Sequence, residues 1–202
     1  MYKSILVAYD GSVAAAHAFH SALELAERLG ASLGVVSVAQ LPEPPTMVET
    51  SAMLDSARQH YEKDFRKLRA DAKARGIELP TNVLVGHAAD QIIHHATETK
   101  ADLIVMDEPT TALSLTETEK VFRFVRAVRA GGRSVLFIGH NIHHVFDIAE
   151  RFVVMDRGTV ALQATKEEVG TAERLIAYME RLAHPQGIEI PPSPGHRPEA
   201  AA

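Results

Sequence analysis

Cysteine is missing from the 202-residue chain, which excludes disulfides, thiolate metal centres and cysteine nucleophiles. No apolar stretch reaches the ~18 residues that a membrane span requires, so direct membrane insertion is not expected. The opening residues, MYKSILVAYDGS, enter a strand pattern at once and lack the extended apolar core of a signal peptide. Nor is there a surplus of basic residues: 21 Lys and Arg stand against 26 Asp and Glu, for a formal net charge of −5. Through Met106 the split is 10 basic to 13 acidic, and after it 11 to 13. That even spread supplies no basic face for nucleic acid and no polybasic patch for anionic lipid. A cytoplasmic protein with an ordinary globular balance, 46% hydrophobic and 23% charged, is the expectation.

What is present is an alternation. Short apolar runs that read as strands buried on both faces occur at 4–10, 31–39, 79–86, 101–107 and 133–139. Between them lie an alanine- and leucine-rich helix ending at Gly30, a charged amphipathic helix over about 51–75, a short helix after Gly86, and a helix opened by Ser114 with Glu117 three residues on. NIHHVFDIAER predicts a further helix, 152–163 a pair of short strands about an Arg-Gly turn, and about 165–183 a last helix. Residues 183–202, rich in proline and poor in large apolar side chains, read as a disordered tail. The alternation predicts a three-layer, doubly wound α/β fold: a mostly parallel five-stranded sheet followed by a small C-terminal β-hairpin and helix. Residues 1–106 and 107–182 are expected to complete one continuous domain.

Doubly wound sheets bind ligands beyond the carboxyl ends of their strands. Asp10-Gly11-Ser12, Asp107-Glu108 and His140-Asn141 each follow a strand, so topology alone places them on one edge. Each also has a purely local reading. Asp10 and Ser12 suit a turn and a helix cap, the two acids suit the positive end of the next helix, and His140 suits a cap.

"YKSILVAYDGS", "ALELAERLGASLGVVSV" and "GHAADQIIHHATETKADLIVM" together resemble the universal stress protein family over roughly residues 2–106. The resemblance implies strand order 3-2-1-4-5, a homodimer, and an adenine-nucleotide site that takes ATP or AMP. Asp10 would contact the adenosine part, beside Gly11 and Ser12, and backbone around Val38 would line the adenine pocket. The family's phosphate signature needs two glycines three apart, and none of the 12 glycines has another at that spacing.

From about 103 to 162, "LIVMDEPTTALSLTETEKVFRFVRAVRAGGRSVLFIGHNIHHVFDIAERFVVMDRGTV" resembles the C-terminal part of a sugar-type ATP-binding-cassette ATPase. That likeness implies a Walker B role for Asp107, holding magnesium through water, and a catalytic role for Glu108. It also implies a γ-phosphate-sensing role for His140. The Walker A loop requires a Gly-Lys pair, which occurs nowhere in the chain, and the LSGGQ signature is absent. The expectation is nucleotide binding with negligible hydrolysis. Its rivals are an ATPase subunit that borrows a phosphate loop from an intact cassette partner, and a fold chimera with no evolved ligand. Sequence leaves open whether the fifth strand lies outside the fourth or inserts beside the first. Eleven histidines raise a metal question, but His17 with His20, His94 with His95, and the 140–144 group read as structural or surface residues.

Overall fold

Strand β1 (Ser4–Ala8) is apolar throughout, and Ile5, Leu6 and Val7 are fully buried because helices cover both faces of the sheet around it. Helix α1 (Val13–Leu29) follows, capped at its start by Ser12 and ended by Gly30, whose left-handed φ of 63° closes the last turn. Then come β2 (Ser32–Ala39), α2 (Met47–Ala74), β3 (Thr81–Val85), α3 (Ala88–Glu98), β4 (Leu103–Asp107), α4 (Leu115–Ala130) and β5 (Ser134–Ile138). The computed structural model describes residues 2–39, 47–107 and 115–183. Glu108, the 111–114 segment with Ser114 as helix opener, and the tail beyond 183 lie outside the described residues.

The five strands are parallel in the order β3-β2-β1-β4-β5. Crossovers that move from β1 outward to β3 put α1 and α2 on one face. The return across β4 to β5 puts α3 and α4 on the other. Period-two alternation then divides the strand residues. Ile5, Val7, Tyr9, Leu33, Val35, Leu103 and Val105 join Phe19, Leu23, Phe65 and Leu68 in one core. Strand β5 lies outside β4, with Leu103 opposite Ser134 and Asp107 opposite Ile138. Insertion of the fifth strand beside the first is thereby excluded.

The chain divides into two compact units, Met1–Gly139 and His140–Ala202. The second has its own core around Phe146, Phe152, Val154 and Leu175. Strands β6 (Arg151–Asp156) and β7 (Thr159–Thr165) form its antiparallel hairpin, turning at Arg157-Gly158, both at positive φ. Two helices differ from the sequence reading. The segment from Asn141 is helical only over α5 (Ile142–Val145), because Phe146 turns in to stack on Phe152 at 5.2 Å and the chain must enter β6. The expected helix over 165–183 is two: α6 (Lys166–Val169) and α7 (Ala172–Ala183). Gly170, at φ 85°, ends the first, and the Thr171 hydroxyl accepts the Arg174 N–H of the second at 3.3 Å. Thr165 and Glu168 form the capping box of α6.

Candidate functional site

At the carboxyl edge of the first unit, β1 gives way to the turn that starts α1. The Ser12 N–H donates to Asp10 Oδ1 at 2.8 Å, and the Ser12 hydroxyl accepts the Ala15 N–H at 3.0 Å. Gly11 supplies the φ of 88° that this turn needs. The local reading of Asp10 and Ser12 is therefore realised, but it engages only one carboxylate oxygen. Asp10 is exposed, and its Oδ2 makes no hydrogen bond among the described residues.

Strand β2 runs past β1 at this point. The Tyr9 N–H donates to the Val36 carbonyl at 2.9 Å, the last ladder bond between them. In a strand, alternate residues send their backbone groups the same way, so Val38, two residues beyond Val36, directs its N–H and C=O toward β1's side. The chain has already turned off there into Asp10-Gly11-Ser12. The Tyr9 carbonyl is taken by the Ser37 hydroxyl at 2.6 Å, and Val38 stands level with Leu84 of β3 at this end of the sheet. Val38, half-buried, thus lies two residues beyond the last β1–β2 bond, at the strand end from which the exposed Asp10 turn departs.

On the other side of β1, Val7 pairs with Val105, so Asp107 stands level with Tyr9, one residue short of Asp10 and one strand away. Asp107 follows Val105 by two and shares the α1 face of the sheet. Its carboxylate is a hard oxygen donor of the type magnesium takes, alongside water and phosphate oxygens. The third predicted element, His140, falls in the second unit, where Asn141 caps α5 by accepting the His144 N–H at 3.4 Å.

Sequence reasoning missed the contribution of α2. A Cβ on Gly11 would lie 3.7 Å from Tyr61 Cε1 and 3.9 Å from Asp64 Oδ2, so both side chains close over the turn. Tyr61 stacks on Phe65 with centroids 5.8 Å apart, and Phe65 in turn meets Tyr9 at 6.3 Å. Burial, then the carboxylates of Asp64 and Asp10, then Tyr61, push the Tyr9 phenol above its usual pKa. Burial, then Asp10, does the same to Tyr61. The spacing Tyr61, Asp64, Phe65 marks one helical face, but nothing in it tells which strand end that face will meet.

This arrangement sits on a chain whose residues 1–110, more than half of its 202, match the model of the universal stress protein family. The chain belongs to that family. A crystal structure of a family member from Burkholderia pseudomallei is 29% identical with a TM-score of 0.53, the match covering 69% of this chain and 97% of that one. A universal stress protein solved in complex with cAMP has a TM-score of 0.50 over 68% of this chain and 97% of that one. At 20% identity, that second likeness speaks for the fold alone. Among curated proteins, the ribose import ATP-binding protein RbsA of Rhodococcus jostii (strain RHA1) is 36% identical over 105 residues. Those residues are 52% of this chain and 20% of that protein, so the chain spans about a fifth of the length of such relatives.

Proposed function

We propose that this stress protein binds adenine nucleosides and nucleotides at the carboxyl edge of its sheet and does not hydrolyse ATP efficiently. One observation carries the reading. Asp10 Oδ2 makes no hydrogen bond among the described residues, and Val38 lies two residues beyond the last β1–β2 bond, at the strand end from which the Asp10 turn departs. Adenine presents a donor and an acceptor side by side, which a strand's backbone can match. Ribose hydroxyls are donors, which a carboxylate accepts. The complex of a similarly folded stress protein with cAMP is in keeping with this.

Hydrolysis is a harder demand, because phosphoryl transfer depends on positioning and charge stabilisation. No Gly-Lys loop cradles the phosphates, so a water beside Glu108 has no oriented target. Losing even one such donor can cost ~10²–10³ in rate. Calorimetric titration with adenosine and AMP should give saturable binding that Asp10→Ala weakens about tenfold or more, the scale of one hydrogen bond to a charged group. Phosphate release should not exceed that of Glu108→Gln. Full affinity in Asp10→Ala would sink the reading.

The identity to ribose import ATP-binding proteins favours a second reading. In it the chain is a fusion that joins a stress-protein half to the closing segment of a cassette ATPase. Asp107, Glu108 and His140 are then inherited Walker B, catalytic and switch residues, with magnesium on Asp107 through water. Such a chain would acquire ATPase activity only with an intact cassette subunit supplying the phosphate loop. Mixing the two and finding no activity above the partner's own would dispose of it. Homodimer formation is part of the first reading. Among the described residues the outer edge of β5 has no strand beside it in the sheet, and its Leu136 is 42% exposed.

A further inference from the structure

The turn that carries Asp10 has little hold of its own, and helix α2 supplies what it lacks. Gly11 sits at φ 88° and has no side chain with which to pack. Asp10 beside it is exposed, and its carboxylate takes the Ser12 N–H on Oδ1 at 2.8 Å. Tyr61 lies across the open side of this turn, its Cε1 3.7 Å from the point that a Cβ on Gly11 would occupy. The ring is itself held. It stacks on Phe65 with 18° between planes, and it crosses His60 nearly at right angles at 5.0 Å. Phe65, only 3% exposed, meets Tyr9, the residue before Asp10. The three rings thus form an arc that leaves the turn at Gly11 and returns to it at Tyr9. The rotation of α2 that aims this arc is fixed further along the helix, where Arg69 donates to the Thr81 hydroxyl of β3 at 2.7 Å and to Glu62 at 2.6 Å. The Tyr61 phenol, raised by burial and then by Asp10, lies within the field of that carboxylate.

We propose that Tyr61 is a positioning residue of the nucleoside site: its ring holds the Gly11 turn, and through it keeps the Asp10 carboxylate where ribose hydroxyls reach Oδ2. The proposal rests on the reading that Asp10 receives the ribose of an adenine ligand, and it deepens that reading by naming the side chain that sets the carboxylate's place. The chemistry calls for such a support. A hydrogen bond prefers angles above ~150° and weakens steeply below ~120°. Glycine's backbone freedom lets a turn rotate through differences of that size unless something packs against it. Tyr61 acts on the ligand through Asp10, so its loss is felt by the ribose and not by the base.

Calorimetric titration of the full chain with adenosine, and with adenine, which lacks the ribose, tests this. Tyr61→Leu keeps apolar cover over Phe65 but removes the ring edge from Gly11. It should weaken adenosine at least about threefold, part of the worth of one hydrogen bond to a charged group, and leave adenine within about twofold. Tyr61→Phe retains the ring and should stay within about twofold of the parent chain for both ligands. In an Asp10→Ala background, Tyr61→Leu should cost adenosine nothing further, because residues that act through one another are not additive. Melting curves establish that each variant is folded at the temperature of titration. Unchanged adenosine affinity in Tyr61→Leu, an equal loss for adenine, or a loss that adds in full to that of Asp10→Ala would each overturn the proposal and leave the adenine reading standing. So would a loss in Tyr61→Phe as large as in Tyr61→Leu, which would assign the effect to the hydroxyl. No adenosine binding by the parent chain would overturn both.

Discussion

The two ends of the five-stranded sheet use the same residue type for opposite purposes. At the amino edge, Asp102 accepts the backbone N–H groups of Lys3 at 2.9 Å and Ser4 at 3.1 Å, tying the entry of β1 to the entry of β4. Two cations nearby have partners: Arg133 Nε donates to the Ala101 carbonyl at 3.1 Å, and Arg75 meets Glu27 at 2.9 Å. At the carboxyl edge, Asp10 satisfies one N–H of its own turn, and Asp64 of α2 comes up beside Gly11. One edge is internally closed and holds the sheet together. The other leaves Asp10 Oδ2 without a hydrogen bond among the described residues, the feature on which the proposed nucleotide reading draws.

Substitutions at the two aspartates should separate these roles. Asp102→Ala leaves two N–H groups without their acceptor and should cost about 1–2 kcal/mol of stability in urea unfolding, discounted for partial exposure. It should leave adenosine affinity alone. Asp10→Ala should do the reverse, losing affinity while costing less than about 1 kcal/mol of stability, because Ser12 still caps α1. Gly11→Ala falls between. The new methyl meets Tyr61 and Asp64 at ordinary contact distances, so the expected penalty, about 1 kcal/mol, comes from the φ of 88° alone. Equal stability losses for Asp10→Ala and Asp102→Ala would erase the distinction.

The pH responses of Asp102 and of the two tyrosines near the opposite edge should differ in sign, with smaller effects. Asp102 is held below its usual 3.8: burial opposes this, but the N–H bonds from Lys3 and Ser4 outweigh it. Its contribution is present above pH 3.8 and is lost as pH falls through the depressed folded value. Tyr9 and Tyr61 are raised above 10.0, so the unfolded chain ionises first. Stability therefore falls as pH rises beyond 10. Melting temperatures across both limits should show Asp102→Asn flattening the acid limb only and Tyr61→Phe the alkaline limb only.

Much of this was legible in the sequence. Five apolar runs separated by helical patterns fixed the architecture, and Asp10-Gly11-Ser12 announced a turn at a strand's end. The place of β5 was not legible, since an apolar strand with a helix on either side fits next to β4 or beside β1 equally well. Tyr61 and Asp64 were hidden for a related reason. They lie some 50 residues from Gly11, and their meeting depends on how α2 is rotated against the sheet. In the second unit, Thr165 with Glu168 and Gly170-Thr171 were readable as a cap and a break. The apolar periodicity running through them to Leu182 concealed the division.

The most direct check is to follow backbone amide shifts of the ¹⁵N-labelled chain as adenosine is added. Shifts concentrated at Gly11, Ser12 and Val38, with Lys3, Ser4 and Asp102 unmoved, are expected. Saturable binding that moves the amino edge instead, or that leaves Gly11 and Val38 in place, would contradict the assignment of the carboxyl edge.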